Sequence, residues 1–317
     1  MRAAPVRALL LALLLALGSL VPAAASGPRP AARAVSQSDS TGAIPRQQIV
    51  RRSLRSNPSQ EYLLYLPRSS SVGAPVFVTA HGISRNVEEH AALFAPFAEQ
   101  HGVVLVAPAF TEQGNDDYQR LGRAGRGSRS DVALEDILDE VQRLTGAATG
   151  KFCLFGYSGG AQFAHRFTLA HPDRIERAII GAAGWYLFPD SGTPYPYGLG
   201  ASAELPDLRF DPDRFLRVPI LVVVGGADTG SKNLRQGADL DRQQGTTRVE
   251  RAERWAQAMR REAQARGLEP RVSCVQVPGI GHSFGQLMRE GGLGERVFGF
   301  MFGSAAHATS SSARGGP

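Results

Sequence analysis

The segment from residue 151 to residue 167 constrains the fold of this chain more than any other. A short apolar run at 151–155 is followed by the pentapeptide G-Y-S-G-G at 156–160 and then by a helical pattern. Strand, sharp turn and helix, with Ser158 at the turn, form the G-x-S-x-G pattern, in which the serine hydroxyl projects from the top of a sheet. Glycine is needed at 156 and 160 because a Cβ there would clash where strand and helix pass closely. In a chain with 36 glycines, a glycine-rich turn with an idle serine is the alternative.

Strand-like and helical patterns alternate along most of the chain. Two runs, 48–54 and 61–66, flank the turn-forming S-N-P-S and predict a hairpin. The later strand-like runs are continuously apolar, which is typical of strands buried on both faces. We therefore predict an α/β fold with a mainly parallel eight-stranded sheet and helices on both faces. The other strands are expected at 75–80, 103–107, 151–155, 177–183, 219–224 and 271–277, and the helices after 86, 130, 160, 246 and 284, the first capped by Asn86 with Glu89 at the capping-box position.

A serine hydroxyl becomes a nucleophile when a base takes its proton and an acid orients that base. Asp228 directly follows the predicted strand at 219–224, and His282 follows the one at 271–277. Because the carboxyl ends of parallel strands meet at one edge of a sheet, both side chains are expected beside Ser158. Asp228 could instead be a turn residue, and His282 could cap the last helix. The chain order Ser, Asp, His favours a nucleophile, its orienting acid and its base.

An oxyanion formed at Ser158 would need two hydrogen-bond donors. One is the backbone N–H of the residue after the nucleophile, Gly159, and the other comes from the loop after the third strand. That loop is H-G-I-S at 81–84, and the N–H of Ile83 is the candidate. His81 could brace this loop or be a packing residue behind it.

An aromatic, proline-rich segment without periodicity lies between the predicted sixth and seventh strands. Its aromatic side chains could line a substrate pocket or pack the segment onto the core. The candidate pocket residues are His81, Tyr157, Trp185, Tyr186, Tyr195 and Tyr197.

These motifs resemble the secreted α/β-hydrolase-fold serine esterases, in particular the poly(3-hydroxyalkanoate) depolymerase and feruloyl-esterase-like group. That group carries a His-Gly-x turn after the third strand and a Gly-x-Ser-x-Gly elbow, and the resemblance covers about 48–302. It implies the α/β-hydrolase fold and cleavage of carboxylic esters through an acyl-enzyme. Ile83 stands where such depolymerases often carry a disulfide-bonded cysteine, and no polymer-binding domain is recognisable. A small-molecule or oligomeric ester is the expected substrate.

Three other functions fit part of the pattern. A secreted acyltransferase would share the triad but exclude water. A serine peptidase of the prolyl-oligopeptidase type shares the residue order, although 317 residues leave no room for its usual propeller domain. A non-catalytic binding protein on the same scaffold is disfavoured by a complete triad.

The N-terminal segment predicts export. Arg2 and Arg7 precede an apolar run at 9–17, and three alanines at 23–25 offer a cleavage site. An uncleaved anchor is the alternative, but the apolar run is short for a bilayer. We expect a secreted or periplasmic protein with no stable membrane anchor after cleavage. The domain plan is a signal peptide at 1–25, a disordered linker at 26–44, the catalytic domain at 45–303 with a cap-like insertion at 184–215, and a disordered tail at 304–317.

The charge pattern argues against a nucleic-acid partner. The chain has 35 basic and 29 acidic residues, but the arginines are interleaved with acids and form no basic stripe with aromatic platforms. Neither a metal-ligand cluster nor a cofactor motif is present, so no metal or cofactor is predicted. Cys153 and Cys274 fall in the predicted fifth and eighth strands, too far apart for a disulfide, and are expected as buried free thiols.

Overall fold

The computed structural model describes residues 36–37 and 44–303. The predicted signal peptide, most of the predicted linker and the predicted tail lie outside the described residues. The strands are β1 (Ser36–Gln37), β2 (Ile49–Leu54), β3 (Asn57–Tyr65), β4 (Pro75–Ala80), β5 (Val104–Ala109), β6 (Ala148–Tyr157), β7 (Ile175–Gly181), β8 (Ile220–Gly225) and β9 (Val272–Val277). The helices are α1 (Val87–His101), α2 (Ser130–Thr145), α3 (Gly159–Ala170), α4 (Pro212–Phe215), α5 (Ala238–Gln244), α6 (Arg248–Ala265), α7 (Phe284–Arg289) and α8 (Leu293–Phe302).

One twisted sheet organises the domain, with the strand order β1-β2-β3-β5-β4-β6-β7-β8-β9. The six strands from β5 to β9 in this order run parallel, and β3 is antiparallel to both of its neighbours. The predicted eight-stranded, mainly parallel sheet is therefore confirmed. The two-residue strand β1 extends its edge by pairing parallel with β2, within the segment predicted as a linker.

Helices cover both faces of the sheet, as predicted. Phe77 on β4 packs against Phe94 of α1 and Phe298 of α8 on one face. Phe152 on β6 packs against Phe167 of α3 on the other face. The continuous apolar runs are explained by this double cover, because β5 and β8 are buried along their whole length.

Several element boundaries differ from the prediction. The strand β3 begins at Asn57, because the hairpin turn is tighter than the S-N-P-S signal indicated. Asn86 makes no side-chain capping bond; its amide donates to Glu89 instead, so the predicted capping box is absent. The real capping box joins Thr247 and Glu250 at the start of α6. The predicted C-terminal helix is two helices, because Gly292 has a left-handed backbone conformation with φ 60°.

Both cysteines are free, as predicted. Cys153 is buried, whereas Cys274 is only half-buried, because β9 forms the edge of the sheet. Two strands separate β6 from β9, which amounts to three spacings of about 4.8 Å and exceeds disulfide reach. Within the described ranges, no helix has the length and apolar character needed to cross a membrane.

Candidate active site

The turn between β6 and α3 carries Ser158 in a strained conformation. Its backbone has φ 54° and ψ −112°, a region that costs a residue other than glycine about 1–3 kcal/mol. A Cβ on Gly156 would lie 2.1 Å from the carbonyl oxygen of Gly160, and one on Gly160 would lie 2.0 Å from that of Ala80. The steric reason inferred from the sequence for both glycines therefore holds.

Ser158, His282 and Asp228 form a hydrogen-bonded relay at the carboxyl ends of β6, β9 and β8. His282 Nε2 lies 3.0 Å from Ser158 Oγ, and its Nδ1 lies 2.7 Å from Asp228 Oδ2. A carboxylate oxygen only accepts, so Nδ1 carries the proton and Nε2 is left to accept from the serine hydroxyl. Asp228 is buried, while the His282 side chain keeps 28% of its surface exposed, so the relay opens to solvent on the side of the base.

The turns that carry the acid and the base are joined to each other. The N–H of Gly226 donates to the Val277 carbonyl, and that of Ala227 donates to the Ile280 carbonyl. A Cβ on Gly225 would lie 2.2 Å from the Ile280 oxygen, so this contact requires glycine. The cap of α7 is Ser283, which leaves His282 free of that role. The alternative readings of Asp228 as an idle turn residue and His282 as a cap therefore have no support.

The side chain of Ile83 packs against Gly159, so the two residues that carry the predicted oxyanion donors are neighbours. Gly159 is the first residue of α3, where the N–H has no partner within the helix. A Cβ on Gly159 would lie 2.8 Å from Ile83 Cγ2, 2.7 Å from the Tyr118 hydroxyl and 3.1 Å from Gln119 Nε2. Ile83 keeps 50% of its surface exposed, which is unusual for a large apolar residue in this domain.

The buried side chain of His81 stabilises the loop at 81–84 that carries the predicted oxyanion donor Ile83. Its Nε2 accepts from the Phe110 N–H, and its Nδ1 donates to the Gly82 carbonyl. Burial lowers the pKa of His81 to about 4, so the ring is neutral and keeps this donor and acceptor arrangement. The Tyr118 hydroxyl donates to the His81 carbonyl and ties the same loop to the segment after β5. His81 is almost fully buried and so occupies the bracing position rather than the pocket surface.

The other five candidate pocket residues occupy different environments. The ring of Tyr157 stacks on His282 with centroids 5.3 Å apart. Tyr186 is fully buried and stacks on Trp255 of α6, so it belongs to the core and is not available to line a pocket. Tyr195 is nearly buried, and its hydroxyl donates to the Arg120 carbonyl. Trp185 is buried and contacts the half-buried Tyr197, with ring centroids 5.0 Å apart.

Arginines surround Trp185 without carboxylate partners. The guanidinium carbons of Arg166 and Arg235 lie 4.1 and 5.3 Å from the centre of the Trp185 ring, and Arg235 also lies 5.6 Å from that of Tyr197. Arg166 is buried and donates to backbone carbonyls, and burial lowers its pKa to about 10. Arg235 is exposed, and no ion pair involving it is found among the described residues.

The acid of the relay has a second partner. Arg248 Nη1 lies 3.3 Å from Asp228 Oδ1, and both side chains are almost completely buried. Its Nη2 donates to the carbonyls of Lys232 and Asn233 in the loop that follows the acid.

Histidines outside the relay have structural partners. His90 contacts Thr79 and stacks on Phe284, and His165 bridges the Ala161 carbonyl and the Leu187 N–H. His171 contacts Asp131. No group of histidine, cysteine and acidic side chains suited to hold a metal occurs within 44–303.

Sequence reasoning missed Tyr118, Gln119 and Arg248. The first two lie in a Gly- and Arg-rich loop with no periodic signal. Arg248 appeared as one member of an alternating charge run on a helix. The capping pattern at Thr247 and Glu250 could have shown that Arg248 starts the helix, but not that this helix end meets the acid.

Solved structures with the same architecture include hydrolases. The poly(3-hydroxybutyrate) depolymerase from Bordetella parapertussis is 26% identical, with a TM-score of 0.65 over 77% of this chain and 84% of its own. Poly(aspartic acid) hydrolase-1 from Sphingomonas sp. KT-1 is 25% identical, with a TM-score of 0.61 over 71% and 88%. An esterase from Pyrobaculum calidifontis is 17% identical, with a TM-score of 0.52 over 81% and 85%, and its likeness concerns the fold alone.

This chain has the α/β-hydrolase fold. Its structural neighbours are esterases and other hydrolases, which supports a hydrolase in general terms. No family model matches the sequence, and no curated protein resembles it significantly.

Proposed function

We propose that this protein is a serine hydrolase that cleaves carboxylic esters through an acyl-enzyme. The observation that carries the proposal is the relay from Ser158 through His282 to Asp228, with the serine held in a strained turn. The adjacent Gly159 and Ile83 support a site for a developing oxyanion.

Acylation begins when Ser158 Oγ attacks the ester carbonyl carbon while His282 Nε2 accepts the hydroxyl proton. Asp228 holds the imidazole in position and stabilises the imidazolium. The carbonyl oxygen becomes an oxyanion that accepts hydrogen bonds from the N–H groups of Gly159 and Ile83, each worth about 3 kcal/mol in the transition state. The bond to the alcohol oxygen then breaks, and that oxygen takes the proton from His282.

Deacylation repeats these steps with water. His282 Nε2 takes a proton from the water as its oxygen attacks the acyl carbon. The second tetrahedral intermediate collapses, the bond to Ser158 Oγ breaks, and the serine oxygen recovers its proton. The products are a carboxylic acid and the alcohol released earlier.

The test is hydrolysis of p-nitrophenyl esters by the purified protein and by Ser158→Ala. The variant is expected to retain only a background at least about 1,000-fold below wild type, because it lacks the nucleophile. A fluorophosphonate probe should label wild type and not the variant. Equal rates for both proteins would refute the assignment, whereas failure of the wild type to label would favour the non-catalytic alternative. Product formation with an added alcohol separates hydrolysis from acyl transfer.

A second candidate is hydrolysis of carboxylate-bearing substrates, including amide bonds in an acidic chain. It is favoured by Arg235, which is exposed beside Trp185 and Tyr197 and has no ion-pair partner within the part of the chain that the structure describes. The loop that carries Arg235 lies close to α3, the helix that follows Ser158. Leu234 of this loop and Gln162 of α3 both approach Gly184, with Cδ1 and Nε2 at 3.8 and 3.3 Å from its Cβ position. The neighbour named as a poly(aspartic acid) hydrolase gives the candidate further support. The two candidates are distinguished by comparing the rates at which the enzyme hydrolyses a neutral ester, a matched carboxylate-bearing ester and poly(aspartic acid).

We propose in addition that the protein acts outside the cytoplasm, as a secreted or periplasmic enzyme. This rests on the export pattern at 1–25, which lies outside the described residues. The proposed partner is a small or oligomeric ester substrate, with no nucleic acid, cofactor or stable membrane anchor.

A further inference from the structure

The acid of the proposed relay divides its two oxygens between two partners. Oδ2 accepts from His282, and Oδ1 faces Arg248 Nη1 at 3.3 Å. The side chains of Asp228 and Arg248 are 2% and 3% exposed. A buried carboxylate facing a guanidinium has a defined rotamer, because rotation would break both contacts and leave two charges unpaired.

Arg248 is itself held by a rigid element. It is the first residue of α6, which begins with the Thr247–Glu250 capping box and buries Ala252, Trp255 and Met259 against the core. Its side chain therefore starts from a fixed backbone. The guanidinium contacts Asp228 with one nitrogen and the carbonyls of Lys232 and Asn233 with the other.

We propose that Arg248 is a positioning residue for the reaction: it fixes the Asp228 carboxylate and the loop behind it, so that Oδ2 points at His282. Arg248 acts through the acid, since its side chain donates to Asp228 and to two carbonyls of the loop that follows it. The proposal rests on the proposed hydrolase function and adds a residue to its machinery.

The charge of Arg248 has a consequence for the base. A cation beside the carboxylate opposes protonation of His282, because it offsets part of the negative charge that stabilises an imidazolium. The other titratable groups near the pair are the hydroxyls of Tyr157 and Tyr186, the exposed amine of Lys232, and Arg251 one turn along α6. Burial raises the pKa of both tyrosines, so they stay neutral, and Arg251 donates to Asp241.

The test compares the pH dependence of kcat/KM for wild type, Arg248→Met and Arg248→Lys. The acid limb is the fall of kcat/KM at low pH. In Arg248→Met this limb should move to higher pH by about one unit, because the Asp228 carboxylate loses its compensating charge. The kcat should fall on the order of 10- to 100-fold because the acid is no longer held. In Arg248→Lys the limb should stay near its wild-type position while kcat still falls, because an ammonium cannot contact the acid and the loop carbonyls together.

Arg251→Met is the matched control. Arg251 is also a buried arginine on α6, but it donates to Gly184, Gly245 and Asp241. The Arg251→Met substitution should lower thermal stability without moving the acid limb of the pH profile. An equal shift in this control, or a wild-type profile and kcat in Arg248→Met, would overturn the proposal. If Arg248→Met does not fold, Arg248→Lys decides: wild-type kcat in that variant overturns it.

Titration with a fluorophosphonate counts the active sites in each variant. A low rate caused by a misfolded fraction of the protein is thereby separated from a low kcat of folded enzyme. Ser158→Ala distinguishes failure of the proposed hydrolase function from failure of the proposed role of Arg248. Activity in Ser158→Ala would remove the proposed function itself. An inactive Ser158→Ala together with unchanged Arg248 variants would remove only the role of Arg248.

Discussion

The relay turns and the substrate-facing loops of this domain are built differently. Ser158, Asp228 and His282 lie one, three and five residues after the ends of β6, β8 and β9, and glycines at 156, 160 and 225 are required there by backbone atoms 2.0–2.2 Å from where a Cβ would sit. The segments 110–129, 182–211 and 229–237 are irregular, and side chains such as Tyr118 and Tyr186 hold the first two to the core. In the proposed reaction, we expect the first set to fix the reacting atoms and the second set to determine what can approach them.

This difference predicts how each set responds to substitution. A change in a relay turn should act on kcat whatever the substrate, because every substrate uses the same attacking and proton-transferring atoms. A change in a loop should act on KM and should depend on the substrate. The largest effects are therefore expected in the turns.

The largest effect is expected for Asp228→Asn. An asparagine amide can donate to His282 Nδ1, which places the proton on Nε2 and prevents the ring from accepting from Ser158. A wrong tautomer of this kind costs on the order of 10⁴-fold in kcat. The measurement is kcat with a p-nitrophenyl ester at neutral pH. The control is Asp239→Asn, which changes an exposed acid paired with Arg242. The kcat of this control should equal that of wild type. A loss below tenfold in Asp228→Asn would show that the acid does not set the tautomer.

A smaller but still substrate-independent effect is expected for Gly156→Ala. The added Cβ would meet the Gly160 backbone at 2.1 Å, so strand and helix must separate and the strained serine must move. Overpacking of this kind costs about 1–3 kcal/mol, and the displaced serine should lose about 100-fold in kcat.

Gly150→Ala is the matched control for that variant. Gly150 lies in the same strand, but nothing lies within 4 Å of its Cβ position. Thermal denaturation and kcat are measured for both variants. Comparable losses in the two would mean that glycine content alone, rather than the close approach at 156, determines the effect.

The sequence predicted the relay turns well for a physical reason. Gly156, Ser158, Asp228 and His282 each lie within a few residues of the end of an apolar strand, and parallel strands end together at one edge. Chain order and strand ends were therefore enough to bring three distant residues together. The Ile83 turn was found in the same way, because it follows β4.

The loop residues were harder to predict because their positions depend on tertiary contacts. Tyr186 was a pocket candidate because it lies in the aromatic segment, but its ring is buried and stacks on Trp255, which is distant in the sequence. Tyr118 and Gln119 lie beside Gly159, the residue after Ser158, and they belong to a loop without periodicity. Arg248 reaches Asp228 because α6 begins at that point of the fold, which no local pattern encodes.

The smallest effect is expected at the loop position Arg235. Its exposed guanidinium beside Trp185 and Tyr197 could contact a carboxylate on a substrate, and an exposed ion pair contributes about 0.2–1 kcal/mol. Arg235→Gln should therefore raise KM for a carboxylate-bearing ester by about two- to fivefold and leave kcat and the neutral ester unchanged. Arg296→Gln, at an exposed arginine of α8, is the charge-matched control. Because a general loss of positive charge would affect both variants equally, a KM change confined to Arg235→Gln assigns the contact to this loop. A fall in kcat on both esters would instead place Arg235 with the relay turns and remove the distinction between the two regions.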